Sequence, residues 1–321
     1  MQNIHLGIDV AKAKLDCALR LANGKHKNKV VENNPAGYLV LSDWMEKHGA
    51  SLARVCMEAT GVYWEAVAEY LALKGLVVAV MNPSQIKAFG ASRMVRTKTD
   101  KVDAQLIADF SHERQPEPWV APTQAEVTLR ALVLRLEALT NMRTQEVNRL
   151  EVAREAVKAG ITQHISWLDD EIKKLEMMIR SHIDNDPDLN NKHQLLDSVP
   201  GLGKRTIPVL LSYYANTDRF DNVKQAVAFA GLDPRQHESG TSVRGKTRMS
   251  KVGHAFLRKA LYMPAIVALY RTAWGKRFYA RLAVAGKPPM VVIGAMMRKL
   301  VNITFGVLRS GKKFDSALHA A

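Results

Sequence analysis

The first 120 residues switch repeatedly between a two-residue and a roughly 3.6-residue apolar period, which restricts the fold more than any other feature of the chain. IHLGIDV (4–10) reads as a short strand, and LDCALRL (15–21), after a brief turn, as its hairpin partner. ARVCMEA (53–59) is a further strand, and GVYWEAVAEYLALKG (61–75) an amphipathic helix closed by Gly75. LVVAVMNP (76–83) is a buried strand ended by Pro83. DKVDAQLIADFSHE (100–113) comes next as a helix with Asp100 near its N-cap. Strands alternating with helices predict an α/β sheet domain.

The period then changes. Leu129, Leu132, Leu136 and Leu139 are spaced 3, 4, 3, and Leu168, Ile172, Leu175 and Ile179 are spaced 4, 3, 4. Both are heptad seams, with Ala159–Gly160 the expected break between them. An antiparallel helical hairpin and a dimerising coiled coil fit this pattern equally well. DNDPD at 184–188 closes the module. Beyond it, SVPGLGKRTIPVLLSYY and FDNVKQAVAFAGLDP look like helix-turn-helix pieces, and two further helices surround HAFLRKALYMPAIVALY and VVIGAMMRKLVNITFGVLRSG. The expected division is 1–120, 121–187 and 188–321.

Charge separates these parts. The chain carries a formal +15, and residues 188–321, with 22 Lys/Arg against 7 Asp/Glu, hold the whole excess. Such a segment on an otherwise balanced protein is the electrostatic footprint of nucleic-acid binding. An acidic membrane surface fits less well, because no lysine-rich amphipathic helix with an aromatic face is evident. Cys17 and Cys56, in apolar surroundings, support neither a disulfide framework nor a cysteine zinc site. With no signal peptide and no apolar run approaching a membrane span, the expectation is a cytoplasmic protein without a membrane partner.

Asp9 ends the apolar strand IHLGID, and Glu58 ends RVCME. Desolvating such groups costs several kcal/mol unless something compensates. Asp100 and Asp103, at i and i+3, share a helix face. Should the sheet bring Asp9 and Glu58 beneath that face, four carboxylates converge, and their repulsion would be relieved by Mg²⁺ or Mn²⁺. Taken singly, each has a simpler explanation: Asp100 as a helix cap, Asp103 paired with Lys98, Asp9 in a turn with Lys12. The combination is more specific than its parts.

The set GIDVAK, MEATG, KTDKVDAQLIA, VPGLGKRTIPVLL and ESGTSVRGKTRMSKVGHAFLRKALY resembles the Piv/MooV-type DEDD transposases, the recombinases of bridge-RNA-guided insertion sequences. The resemblance covers nearly the whole chain in the same motif order. It implies an RNase H-like (RuvC-like) N-terminal domain, a coiled-coil insertion and a mainly α-helical C-terminal transposase domain with a nucleophilic serine. Carried over residue by residue, the acidic set falls on Asp9, Glu58, Asp100 and Asp103, and the serine of ESG on Ser239. The resemblance also implies donor and target DNA and a non-coding bridge RNA as partners, and a homo-oligomer.

A serine hydroxyl is a weak nucleophile until its proton is removed or its charge stabilised. Around Ser239, the cations Arg235, Arg244, Lys246, Arg248 and Lys251 are suited to holding a phosphate, and Gly240 lets the backbone approach closely. Ser242 and Ser250 are neighbouring alternatives, and His237 and His254 are candidate proton shuttles. In VPGLGKRT, a helix-hairpin-helix pattern, Gly201 and Gly203 would present backbone N–H groups to phosphate with Lys204 and Arg205 flanking it; an ordinary glycine turn explains the stretch as well. Arg258 and Lys259 are expected to face phosphate or solvent. Tyr213, Tyr214, Trp274, Phe278 and Tyr279 suit base stacking, although such residues are more often core. Three functions stay open: an RNA-guided recombinase with a phosphoserine intermediate, a metal-dependent RuvC-like nuclease in which water attacks, and a non-catalytic nucleic-acid-binding protein.

Overall fold

The computed structural model describes residues 4–94, 97, 99–236, 238–239, 243–245 and 247–319, with backbone alone at Glu238, Ser239, Val243, Arg244 and His319. The chain divides into two compact units, Met1–Ala121 and Pro122–Ala321.

In the first unit, β1 (His5–Val10), β2 (Lys14–Arg20) and β3 (His26–Glu32) form an antiparallel meander, and β4 (Arg54–Glu58) and β5 (Val78–Met81) add parallel strands, in the order β3-β2-β1-β4-β5. The two-residue period sorts the side chains. Leu6, Ile8, Leu15, Cys17, Leu19 and Val31 enter a core with Tyr38, Leu41 and Met45 of α1 (Pro35–Lys47) and Val67 and Leu71 of α2 (Glu65–Leu73). On the other face, Cys56 and Ala79 pack against Ile86 and Phe89 of α3 (Pro83–Ser92) and Ile107 and Phe110 of α4 (Asp100–Arg114). A mixed sheet with helices on both faces is consistent with an RNase H-like domain.

Gly7 sets how closely α4 crosses this sheet. A Cβ there would lie 2.2 Å from the Ala104 carbonyl oxygen and 2.3 Å from the Ala108 nitrogen, so helix backbone rests directly on strand backbone. α4 is capped by Thr99, whose hydroxyl accepts from Val102 N at 3.3 Å, and not by Asp100. The aspartate is therefore the first helical residue and its carboxylate is left for other partners. Three elements are additional to the expected set: β3, α1 and α3. Asn34 and Asn82 cap α1 and α3 with their side chains, and Pro35 and Pro83 each occupy the first helical position. Pro83 thus starts a helix as well as ending a strand.

The second unit is helical. α5 (Gln124–Val152) opens with a capping box between Thr123 and Glu126 and returns as α6 (Glu155–Asn185). The reversal is at Ala153–Arg154 and not at Ala159–Gly160, which lies inside α6. Gly160 has open space where a Cβ would be, so it costs the helix only about 1 kcal/mol relative to alanine. The two heptad seams face each other within the chain: Leu139, Leu168 and Ile172 pack with Leu136 and Leu175. Arg143 on α5 pairs with Asp169 on α6. The open end of this hairpin, at Leu129, Val133, Ile179 and Ile183, is embedded in the main core.

That core is completed by α7 (Pro187–Asp197), α8 (Thr206–Tyr214), α9 (Val223–Phe229), α10 (Ala255–Arg271), α11 (Ala273–Val284) and α12 (Pro289–Ser310). By length and composition alone α12 is apolar enough to cross a bilayer, but Val292, Met296, Leu300, Phe305 and Leu308 bury its inner face in the unit. Tyr213, Tyr214 and Trp274 are buried, and Phe278 and Tyr279 pack against the same core, so none is presented as a stacking platform. Between α9 and α10 run two short ribbons, β6 (Pro234–Arg235) with β9 (Arg248–Met249) and β7 (Glu238–Ser239) with β8 (Val243–Arg244).

Candidate active site

Strand parity brings carboxylates together on the α4 side of the sheet. Asp9 lies two residues beyond Gly7 and so shares its face, and its cross-strand partner is Asp16 on β2. Ile8 pairs with Met57 in parallel register, which sets Glu58 at the same strand end on the adjacent strand. Because Gly7 meets α4 at Ala104, the first turn of that helix, with Asp100 and Asp103, extends over Asp9 and Asp16.

The electrostatics report the convergence. The Asp9 carboxyl is pushed up to about 6, first by burial and then by Asp103, Asp100 and Asp16, with Lys14 opposing. Burial, and secondly Glu58, raise the Cys56 thiol to about 12. Lys14 Nζ lies 2.6 Å from Asp100 and 2.9 Å from Asp16, and these hydrogen bonds raise its pKa. Asp16 was not among the expected residues. The signal was present, since it is a charge inside the apolar run LDCAL, the same argument that singles out Asp9.

Among the described residues, no three His, Cys, Asp or Glu side chains stand in metal-ligating geometry. The residues nonetheless suit a hard divalent cation. Their donors are carboxylate oxygens, burial and the neighbouring carboxylates hold the Asp9 carboxyl above its ordinary range, and an ammonium already occupies part of the cluster.

At the basic end, Arg235 and Arg248 are direct cross-strand partners in the β6–β9 ribbon, and both are exposed. Like charges directly opposite one another destabilise a ribbon, and a bound anion would offset that repulsion. Ser239 pairs with Val243, and Glu238 with Arg244, at the tip of β7–β8. His237, Gly240, Ser242 and Lys246 lie outside the described residues. Lys251 is exposed, with φ 57°. His254 packs in tilted ring contact with Phe229 (4.3 Å) and Tyr213 (5.1 Å). That contact desolvates the imidazole of an otherwise exposed residue and, with nearby Arg130, Arg219 and Arg258, lowers its pKa.

Four other cations depart from expectation or refine it. Arg258 donates to the carbonyls of Ala230 (3.0 Å) and Gly253 (3.1 Å), closing the base of the ribbon segment. Lys259 pairs with Glu137 and donates to Asn141 at 3.1 Å, tying α10 to α5. Both make structural contacts, and Lys259 is at the same time exposed to solvent. Arg205 donates twice to Glu176 on α6, at 2.9 and 2.6 Å, while Lys204 is exposed. Gly201 adopts φ 109° and lies against Ala268, where a Cβ would approach to 3.0 Å, so this turn is also a close packing point between helices.

Residues 6–155 match the transposase model of the DEDD, IS110 type, and residues 193–280 match the transposase IS116/IS110/IS902 family. The chain is 33% identical to the pilin gene-inverting protein of Moraxella bovis over 99% of its own length and 100% of that protein, and equally so to that of Moraxella lacunata. The chain belongs to the IS110 family of transposases. A transposase for insertion sequence element IS1328 from Yersinia enterocolitica is 24% identical over 78% of this chain and 82% of the relative. This transposase is accordingly a DNA recombinase, and its first matched segment contains Asp9, Glu58, Asp100 and Asp103. The second matched segment contains the basic ribbons with Ser239.

Proposed function

We propose that this transposase cuts and rejoins DNA through a phosphoserine intermediate formed on Ser239. The Oγ–phosphorus bond forms as one phosphorus–deoxyribose oxygen bond breaks. Oγ loses a proton and the leaving oxygen gains one, so the step makes no net acid. The covalent link conserves the energy of the broken bond, and attack by a DNA hydroxyl reverses the step without ATP. Arg235, Arg244, Lys246, Arg248 and Lys251 hold the phosphate, and Lys204 grips the backbone elsewhere. Asp9, Glu58, Asp100 and Asp103 are the residues that would hold Mg²⁺ or Mn²⁺, which would supply positive charge to a DNA phosphate.

The observation that supports this reading is the gathering of Asp9, Asp16, Asp100 and Asp103 on one face of the sheet, where burial first and these neighbours second push the Asp9 carboxyl up to about 6. Phosphate contacts do not choose a sequence, so a bridge RNA pairing with donor and target DNA is the proposed source of specificity. The work takes place in the cytoplasm, with the protein as a homo-oligomer. Full-length similarity to pilin gene-inverting proteins favours DNA inversion as a second outcome of the same chemistry.

The test is a denaturing gel of protein incubated with end-labelled DNA. Adduct in the native protein, absent in Ser239→Ala and in Asp103→Asn, supports the proposal. Metal-dependent cleavage that survives Ser239→Ala supports the water-attack nuclease instead, and salt-sensitive binding without cleavage supports a binding protein.

A further inference from the structure

Lys14 and Asp16 lie two residues apart on β2, so both side chains emerge on the face that α4 covers. Asp16 is only 7% exposed and stands directly across from Asp9. A carboxylate so little exposed, with another carboxylate directly across from it, is costly without a cationic partner. The Lys14 ammonium, 2.9 Å away, is such a partner. It does not stop there: the same nitrogen reaches across to Asp100 in the first turn of α4, at 2.6 Å. One lysine therefore clamps the strand carboxylate to a helix carboxylate proposed as a cation ligand.

We infer that Lys14 is a tethered cation that occupies the acidic cluster before a divalent cation does, anchored by Asp16, and that cation loading requires its ammonium to leave Asp100. This rests on the proposed cation-binding role of the cluster. An Asp100 oxygen that accepts from the ammonium cannot also ligate a divalent cation at about 2.1 Å without bringing two like charges within about 4–5 Å of each other. The lysine stem is half exposed, so the head can swing toward solvent while Asp16 retains it. Lys14 is in this sense a positioning residue. Before loading it offsets the repulsion among Asp9, Asp16 and Asp100, and it sets the cation concentration at which the exchange occurs.

The test is direct Mn²⁺ binding to the full chain without DNA, monitored by electron paramagnetic resonance of the free ion at fixed pH and salt. Lys14→Met is expected to bind at least about tenfold tighter than the native protein, since the competing charge is gone. Lys14→Arg, which keeps the charge, is expected to stay near native, and Lys14→Gln repeats the first result with a polar side chain. In chelator, Lys14→Met is expected to melt below the native protein, and added Mn²⁺ is expected to close that gap. Equal or weaker Mn²⁺ binding by both Lys14→Met and Lys14→Gln, with binding still lost in Asp9→Asn, overturns the tethered cation while leaving the cation site intact. If neither native protein nor Lys14→Met binds Mn²⁺, both ideas fall.

Discussion

Asp9 and Asp16 are direct cross-strand partners on β1 and β2, two carboxylates facing each other under the first turn of α4. Their opposition costs folding energy, and the cost depends on pH. The Asp9 pKa of about 6 in the folded protein lies above its ordinary 3.8. The folded state thus holds a proton that the unfolded chain releases, and the associated stability is full below about pH 3.8 and lost as pH rises through about 6. Asp9→Asn cannot ionise, so in chelator it is expected to gain on the native protein between pH 5 and pH 8 by roughly 1–2 kcal/mol, discounted for partial exposure. Urea unfolding at the two pH values measures the difference, and a constant gap contradicts the crowding.

Gly7→Ala is expected to destabilise the first unit by about 3 kcal/mol, because its methyl group meets helix backbone rather than a side chain that can turn away. DNA cleavage is expected to fall as well, since lifting α4 carries Asp100 and Asp103 away from Asp9. A midpoint in urea unchanged from native would show that α4 does not rest on β1 as described.

Arg235→Ala and Arg248→Ala each remove one of two like charges paired across a ribbon. Either change is expected to leave folding stability within about 0.5 kcal/mol of native. DNA affinity is expected to fall, and the slope of log K against log salt to become shallower by about 1 for each phosphate no longer neutralised. Filter binding at several salt concentrations provides both numbers.

Leu168→Ala is expected to cost about 3–4 kcal/mol, since Leu168 is fully buried between α5 and α6 against Leu139 and Ile172. A dimer held only by exposed seams would instead lose association at constant monomer stability. Chemical denaturation at two protein concentrations distinguishes the cases.

Much of this architecture was legible because burial enforces periodicity. β1, β2, β4 and β5 carry alternating or continuous apolar residues, and α2 and α4 repeat theirs at helical spacing. β3 was not legible: HKNKVVE is a polar edge strand in which Val31 alone is buried. Its lysines protect a sheet edge and erase the strand signal together. α1 and α3 begin with Asn-Pro, which reads as a turn until the asparagine is seen to cap a helix. The hairpin reversal at Ala153–Arg154 contains neither glycine nor proline, whereas Gly160, the apparent break, is tolerated inside an exposed helix. For the site, strand-end carboxylates single out Asp9 and Glu58 but not Asp16, because register, which no single strand reveals, is what makes it Asp9's neighbour. Arg205, Arg258 and Lys259 show the reverse limit, since a basic segment does not reveal which of its cations are already committed to Glu176, Ala230 or Glu137.

The central claim is that a serine of the basic ribbon becomes covalently joined to DNA. The most direct measurement is mass spectrometry of peptides from protein trapped on DNA and then digested with nuclease. The account predicts a nucleotide-bearing peptide from the segment around residues 235–250, modified at Ser239 and missing from Ser239→Ala and Asp9→Asn samples. Efficient strand exchange by Ser239→Ala, or a modified residue elsewhere in the chain, would contradict it.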